Sequence, residues 1–308
     1  MGKRNLEAMD REKRAVALSS VIAAILLTVT KLIVGFSTNS LGILSEAAHS
    51  GLDLVAAAVT LWAVRIAAIP ADRRHTYGHG KVENLSALFE TLLLLGTCGW
   101  IVYEAVERIT SDQPPVVDAS AWAFGVVALS IVVDVSRSRA LTRVARKYNS
   151  QALEADALHF STDVWSSGVV LLGLAGVRLA QPLGLPWLHR ADAGAALGVA
   201  AIVFVVSLRL ARRSVDDLLD AVEPEMVDKV QTAARVPGVA RVGDTRVRRS
   251  GADCYADVTV FVAPNLELSA AHEIANTVER AVREAVPRVQ TMVHVEPWKP
   301  GSRTTENP

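Results

Sequence analysis

The chain has 308 residues, 51% of them apolar with glycine left uncounted, and a mean hydropathy of +0.29, richer than the roughly 45–50% of a soluble domain with glycine included. Its 32 basic and 32 acidic residues cancel, so no basic field argues for nucleic acid, and Cys98 and Cys254 are too few for a disulfide framework. Low-complexity disorder, a secreted stapled fold and a DNA binder all fit poorly.

A charged N-terminal segment, residues 1–14, carries Lys3, Arg4, Arg11, Lys13 and Arg14. Six apolar runs follow, at about Ala15–Phe36, Leu41–Ala68, Leu85–Ile109, Ala119–Val135, Ala152–Ala180 and Ala191–Leu210. A bilayer-spanning helix needs roughly 20 mostly apolar residues, which each run approaches or exceeds. The first outlasts the apolar stretch of a cleaved signal and precedes further spans, so it reads as a retained helix. Arg73, Arg74 and Lys81 lie between runs two and three, and Arg137, Arg139, Arg143, Arg146 and Lys147 between runs four and five. The loops 37–40 and 110–118 hold no Lys or Arg. The positive-inside rule then puts both termini in the cytoplasm, as an even number of spans requires.

Beyond Asp220 the composition changes: residues 221–308 carry 23 of the 64 charged residues. Pro224–Arg235 reads as a helix stopped by Pro237-Gly238, Thr245–Arg249 and Tyr255–Val262 as alternating strands, Leu268–Val286 as a helix, and Val289–Val295 as a strand. The expected fold is therefore an α-helical membrane protein of six transmembrane helices with a C-terminal cytoplasmic α+β domain of order αββαβ. Its parts are residues 1–14, a transmembrane domain over 15–220, the αββαβ domain over 221–298 and a flexible tail over 299–308.

The chemistry concentrates on histidine. Run two contains His49 and Asp53, and run five contains His159 and Asp163. Residues four apart share a helix face. Two such faces turned together supply two imidazoles and two carboxylates, a plausible tetrahedral zinc set at membrane depth. A polar helix–helix contact explains one such pair about as well, but two copies are harder to dismiss. Asp72, His75 and His79 form a second candidate set in the loop after run two, where an ordinary charged loop is an equal reading. His272, His294 and Glu296 in the last domain read first as solvated surface residues. Lys31, Glu46, Glu90 and Asp134, also inside apolar runs, line a wet cavity or reach toward an interface.

The strings SEAAHSGLDL, PADRRHTYGHGKVE and DALHFSTDVWSSG, with six spans and an αββαβ tail, make the chain resemble the cation diffusion facilitator family of zinc-type divalent metal/proton antiporters. The resemblance implies a transport site at His49, Asp53, His159 and Asp163, and a second site at Asp72, His75 and His79. It implies a charged pair, Lys81 and Asp220, joining the protomers of a homodimer, and a metallochaperone-like, ferredoxin-like fold for the last domain. It puts His272, His294 and Glu296 on ligand positions of a cytoplasmic binuclear site. There the chain departs from its relatives, because Gly243 and Thr259 stand where further histidines are expected, with Asp253, Cys254 or Asp257 as candidate substitutes. The implied activity is cytoplasmic metal efflux across the inner or plasma membrane in exchange for protons, with no organic cofactor, no enzymatic reaction and no nucleic-acid partner. Zinc is the expected substrate and a regulatory ligand, with cadmium beside it. Export of iron, cobalt or manganese is the alternative within the fold; a metal sensor or scaffold, or a membrane metallohydrolase, is the alternative outside it.

Overall fold

The computed structural model describes residues 3–38, 41–110, 121–183 and 188–298; the expected tail over 299–308 lies outside them. The chain divides at Val215/Asp216 into two compact units.

The first unit is helical: α1 (Lys3–Thr38), α2 (Leu41–Ala67), α3 (Lys81–Thr110), α4 (Ala121–Tyr148), α5 (Gln151–Leu183) and α6 (Leu188–Leu218), the last running just past the boundary. Among the described residues, three stretches are both long and apolar enough to cross a membrane: Glu7–Ser37, Ala47–Ala67 and Lys81–Glu107. The charged N-terminal segment is the first turns of α1, because Glu, Arg and Lys sustain a helix as well as Leu does. Likewise α4 outlasts its apolar run and ends at Tyr148.

The burial pattern is inverted relative to a soluble bundle. Leu26, Ile33, Phe36, Trp62, Trp100 and Ile202 lie exposed, while Lys13, Lys31, Glu83, Glu90 and Asp156 are buried. A bundle whose surroundings are hydrocarbon keeps its ionisable groups inside in this way. Small residues line the contacts, with Ala17, Ala56, Ala57, Ala152 and Ala155 almost fully buried, which lets backbones approach closely. α1 packs on α2 and α4, α4 on α5, and α3 on both α2 and α5.

The second unit has α7 (Pro224–Ala233), β1 (Val239–Ser250), β2 (Asp253–Val262), α8 (Leu268–Ala285) and β3 (Val289–Pro297). β2 is central, antiparallel to β1 and parallel to β3, with α8 as the crossover. The expected αββαβ order is present, with β1 reaching six residues further back than its alternation indicates. That early part is irregular, with register shifts between Val239 and Arg241 and between Val242 and Thr245, so period-two alternation fails there. Val230, Val258, Val260, Val278 and Val282 form the core between the helices and one sheet face.

Candidate metal centre

His49 and Asp53 lie one turn apart on α2, and His159 and Asp163 one turn apart on α5; the two faces meet. His159 Nε2 is 3.1 Å from Asp53 Oδ1 and 3.7 Å from Asp163 Oδ2. His49 Nε2 lies 3.7 Å from Asp163 Oδ1 and 4.0 Å from Asp53 Oδ1. Donor atoms of His49, Asp53 and Asp163 all fall within 4.8 Å of one another. Asp53, His159 and Asp163 are buried, whereas the His49 side chain is 41% exposed. His159 Nδ1 and Asp163 Oδ2 are buried without a hydrogen-bond partner among the described residues. A buried carboxylate oxygen without a hydrogen bond is costly, and a divalent cation among these four groups would satisfy it. Two imidazoles and two carboxylates suit zinc better than the all-oxygen shells of magnesium or calcium.

A cavity of about 80 Å³ opens beside this cluster, lined by Lys31, His49, Asp53, Ser130, Asp134, Asp163 and Ser166 among others. By chain direction these residues lie at or beyond the cluster on the side away from the 68–80 loop. On the loop side, Leu61, Val64, Leu141, Val144, Leu153 and Phe160 fill the bundle as one apolar core. The site is thus open at one end and packed shut at the other. Lys31 and Asp134, given no role from sequence, are parts of its wall. Lys31 Nζ donates to Ser50 Oγ at 2.7 Å, and Arg137 Nη1 donates to Asp134 Oδ1 at 3.3 Å. The available signal was a charge within an apolar run, which marks a functional position without saying which helix it faces. Glu90 stands elsewhere, accepting a hydrogen bond from Thr60; the Glu46 side chain lies outside the described residues.

The loop set also converges. Asp72 Oδ2 lies 3.4 Å from His75 Nδ1 and 3.5 Å from His79 Nε2, and the two imidazole centroids are 4.3 Å apart. The other oxygen, Oδ1, accepts from the backbone N–H groups of His75 and Arg74, both at 2.7 Å. Those two bonds hold the Asp72 carboxyl down at about 2, so it is a fixed anion. Gly78, at φ 76°, takes the left-handed conformation that returns the chain toward α3.

The third set does not gather. His294 Nε2 lies 3.2 Å from Glu296 Oε1 on the exposed face of β3, and His272 is exposed on α8, which covers the opposite face of the sheet. Among the described residues, the two earlier clusters are the groups of three or more potential ligands that converge. A Cβ on Gly243 would sit 2.7 Å from the Phe261 ring and 3.4 Å from Thr259 Cβ. An aromatic ring therefore fills the space a side chain at 243 would occupy. Of the candidate substitutes, Asp253 accepts two bonds from Arg288 at 2.9 and 2.7 Å, and Cys254 is buried, its thiol pushed up by desolvation. Asp257 is exposed on the outer face. Lys81 opens α3 in the first unit, and Asp220 follows α6 in the second.

Comparison with known proteins covers both units. Residues 17–219 match the family profile described as cation efflux transmembrane domain, and residues 222–298 the one described as cation efflux protein, cytoplasmic domain. The chain is 32% identical over 291 residues to cation-efflux pump FieF of Yersinia enterocolitica, covering 92% of each chain. It is 32% identical over 288 residues to the protein of the same name from Cronobacter sakazakii, covering 91% of each. Among solved structures, a nickel form of a MamM CTD variant aligns at 32% identity with a TM-score of 0.24, covering 25% of this chain and all of that one.

Proposed function

The chain belongs to the cation diffusion facilitator family, and from that premise we propose that it exports divalent metal, zinc first, from the cytoplasm in exchange for protons. The observation that carries this reading is the convergence of two His-x-x-x-Asp pairs from facing helices. Metal needs neutral imidazoles and ionised carboxylates, so protons and metal compete for one set of atoms. That competition suffices for exchange: protons entering from outside discharge the metal, and cytoplasmic metal displaces protons. Alternating exposure of a site near the membrane midplane completes the cycle. The reading includes six spans with both termini cytoplasmic, an inner-membrane location, a homodimer joined in part through Lys81 and Asp220, and transport without enzymatic chemistry. Asp72, His75 and His79 form the second metal site, at the cytoplasmic rim. His294 and Glu296, with His272, supply at most a weak regulatory site.

Metal flux into proteoliposomes at a set pH gradient tests the reading. Wild-type protein should move zinc, and Asp53→Ala or Asp163→Ala should abolish movement in an inserted, folded protein. Each variant removes an anion that offsets a divalent charge in low dielectric. Near-wild-type flux in either would sink the assignment. The same four ligands accept cadmium, cobalt or iron(II), so competition with those ions in the same vesicles ranks the substrates.

A further inference from the structure

A second cavity, of about 350 Å³, lies between α4, α5 and α6, away from the metal centre. Its apolar wall includes Leu158, Val206 and Leu210, and its rim carries Arg146, Arg209 and Arg213 against the single acid Glu154. The arginines cluster toward the end of the bundle where α4 stops at Tyr148 and α5 starts at Gln151; Val206 and Ser161 lie deeper. Glu154 is already engaged, accepting from Arg213 Nη1 at 3.2 Å, while Arg213 Nη2 reaches Asn149 Oδ1 at 3.5 Å. Arg146 and Arg209 make no hydrogen bond or ion pair with any described residue. Two guanidinium groups thus border one apolar groove, and the acid described in its lining, Glu154, is held by Arg213.

We infer that this groove binds one anionic phospholipid of the cytoplasmic leaflet, its phosphate between Arg146 and Arg209 and an acyl chain along Leu158, Val206 and Leu210. The inference rests on the membrane reading above. Guanidinium groups pair well with phosphate oxygens, and a basic pocket between helices on the cytoplasmic side is a suitable headgroup seat. A metal ion is repelled by the same charges. A free phosphate would leave the apolar half of the groove uncovered, whereas a lipid covers both halves. One bound lipid would tie α6 to the α4–α5 pair.

The test uses the full chain in mild detergent, titrated with phosphatidylglycerol or phosphatidylcholine, with retained lipid counted by native mass spectrometry. Wild type should keep one phosphatidylglycerol selectively. Losing a charge-assisted guanidinium–phosphate hydrogen bond costs roughly tenfold in affinity, so Arg146→Gln/Arg209→Gln should weaken retention about 100-fold. Arg139→Gln/Arg212→Gln removes the same charge from the same two helices outside the groove lining, and should change retention less than about threefold if the groove rather than the general field is responsible. Equal losses in the two variants, or no preference for the anionic lipid in wild type, would overturn the inference. Thermal stabilisation by inorganic phosphate as large as that by phosphatidylglycerol would also overturn it, leaving a plain anion site. Because lipid counting needs no flux, failure here is distinguishable from failure of the export reading.

Discussion

Asp72 is kept anionic chiefly by two backbone amides, those of His75 and Arg74, which couples the charge of the loop site to the shape of its turn. The folded-state value lies near 2 against an ordinary 3.8. The turn therefore has its full stabilisation above the ordinary carboxylate range and loses it only as pH falls toward 2. From about pH 8 down to pH 4 the carboxylate stays ionised. Carboxyl carbon resonances of labelled Asp72, followed through an acid titration, should stay flat to about pH 4; a midpoint near the ordinary value would contradict the turn's role. At Gly243 the constraint is steric. Gly243→Ala puts a methyl group 2.7 Å from the Phe261 ring and should destabilise the sheet by about 1–3 kcal/mol, the usual cost of overpacking. Amide exchange of β1 and β2 in the intact chain measures it. Combining it with Phe261→Leu should cost clearly less than the sum of the two changes. This obstruction was invisible in sequence: Gly243 could be read as a missing ligand, but the ring across the strand could not.

Helix existence was legible from the apolar runs, and the pairing of His49 with Asp53 and His159 with Asp163 from their spacing, since both follow from helical period alone. Helix ends and helix partners were not. Polar residues propagate a helix past its apolar stretch, and no local pattern says that α1 meets α3 through Lys13. That lysine donates to the Glu83 carboxylate, which also accepts from Ser150 where α4 turns into α5. Both charges are buried. Beside them Asn84 Nδ2 donates to Gln151 Oε1 at 2.9 Å, and Ser214 of α6 donates to the same oxygen at 3.3 Å. Four helices are thus laced at one end of the bundle. Lys13→Met removes the cation and strands a buried carboxylate, which should cost about 3–5 kcal/mol of stability. Lys13→Met with Glu83→Gln should recover much of that loss, because no charge is then left unpaired. Thermal unfolding in detergent separates the cases, and equal losses in both would mean that the pair contributes through packing alone.

Across the first unit, an open end and a filled end stand on opposite sides of the proposed metal centre. On the proposed orientation, Ser166→Cys in sealed vesicles should react with a membrane-impermeant thiol reagent from the non-cytoplasmic side, and Ala57→Cys, in the filled core, should resist it from the cytoplasmic side. Reaction of Ala57→Cys from the cytoplasm at a comparable rate would show that the filled end is not a seal. Which end of the cluster is open follows from which faces pack, information that composition and spacing do not carry. Each of the two helices contributes half of the ligand set, so a bound ion is also a crosslink, a rivet through α2 and α5. Loaded carrier should therefore be mechanically stiffer than empty carrier, and its melting temperature should climb with the logarithm of free zinc. Cargo that fastens its own vehicle must be unfastened at every turn, so ions gripping the four ligands hardest should be those moved most slowly.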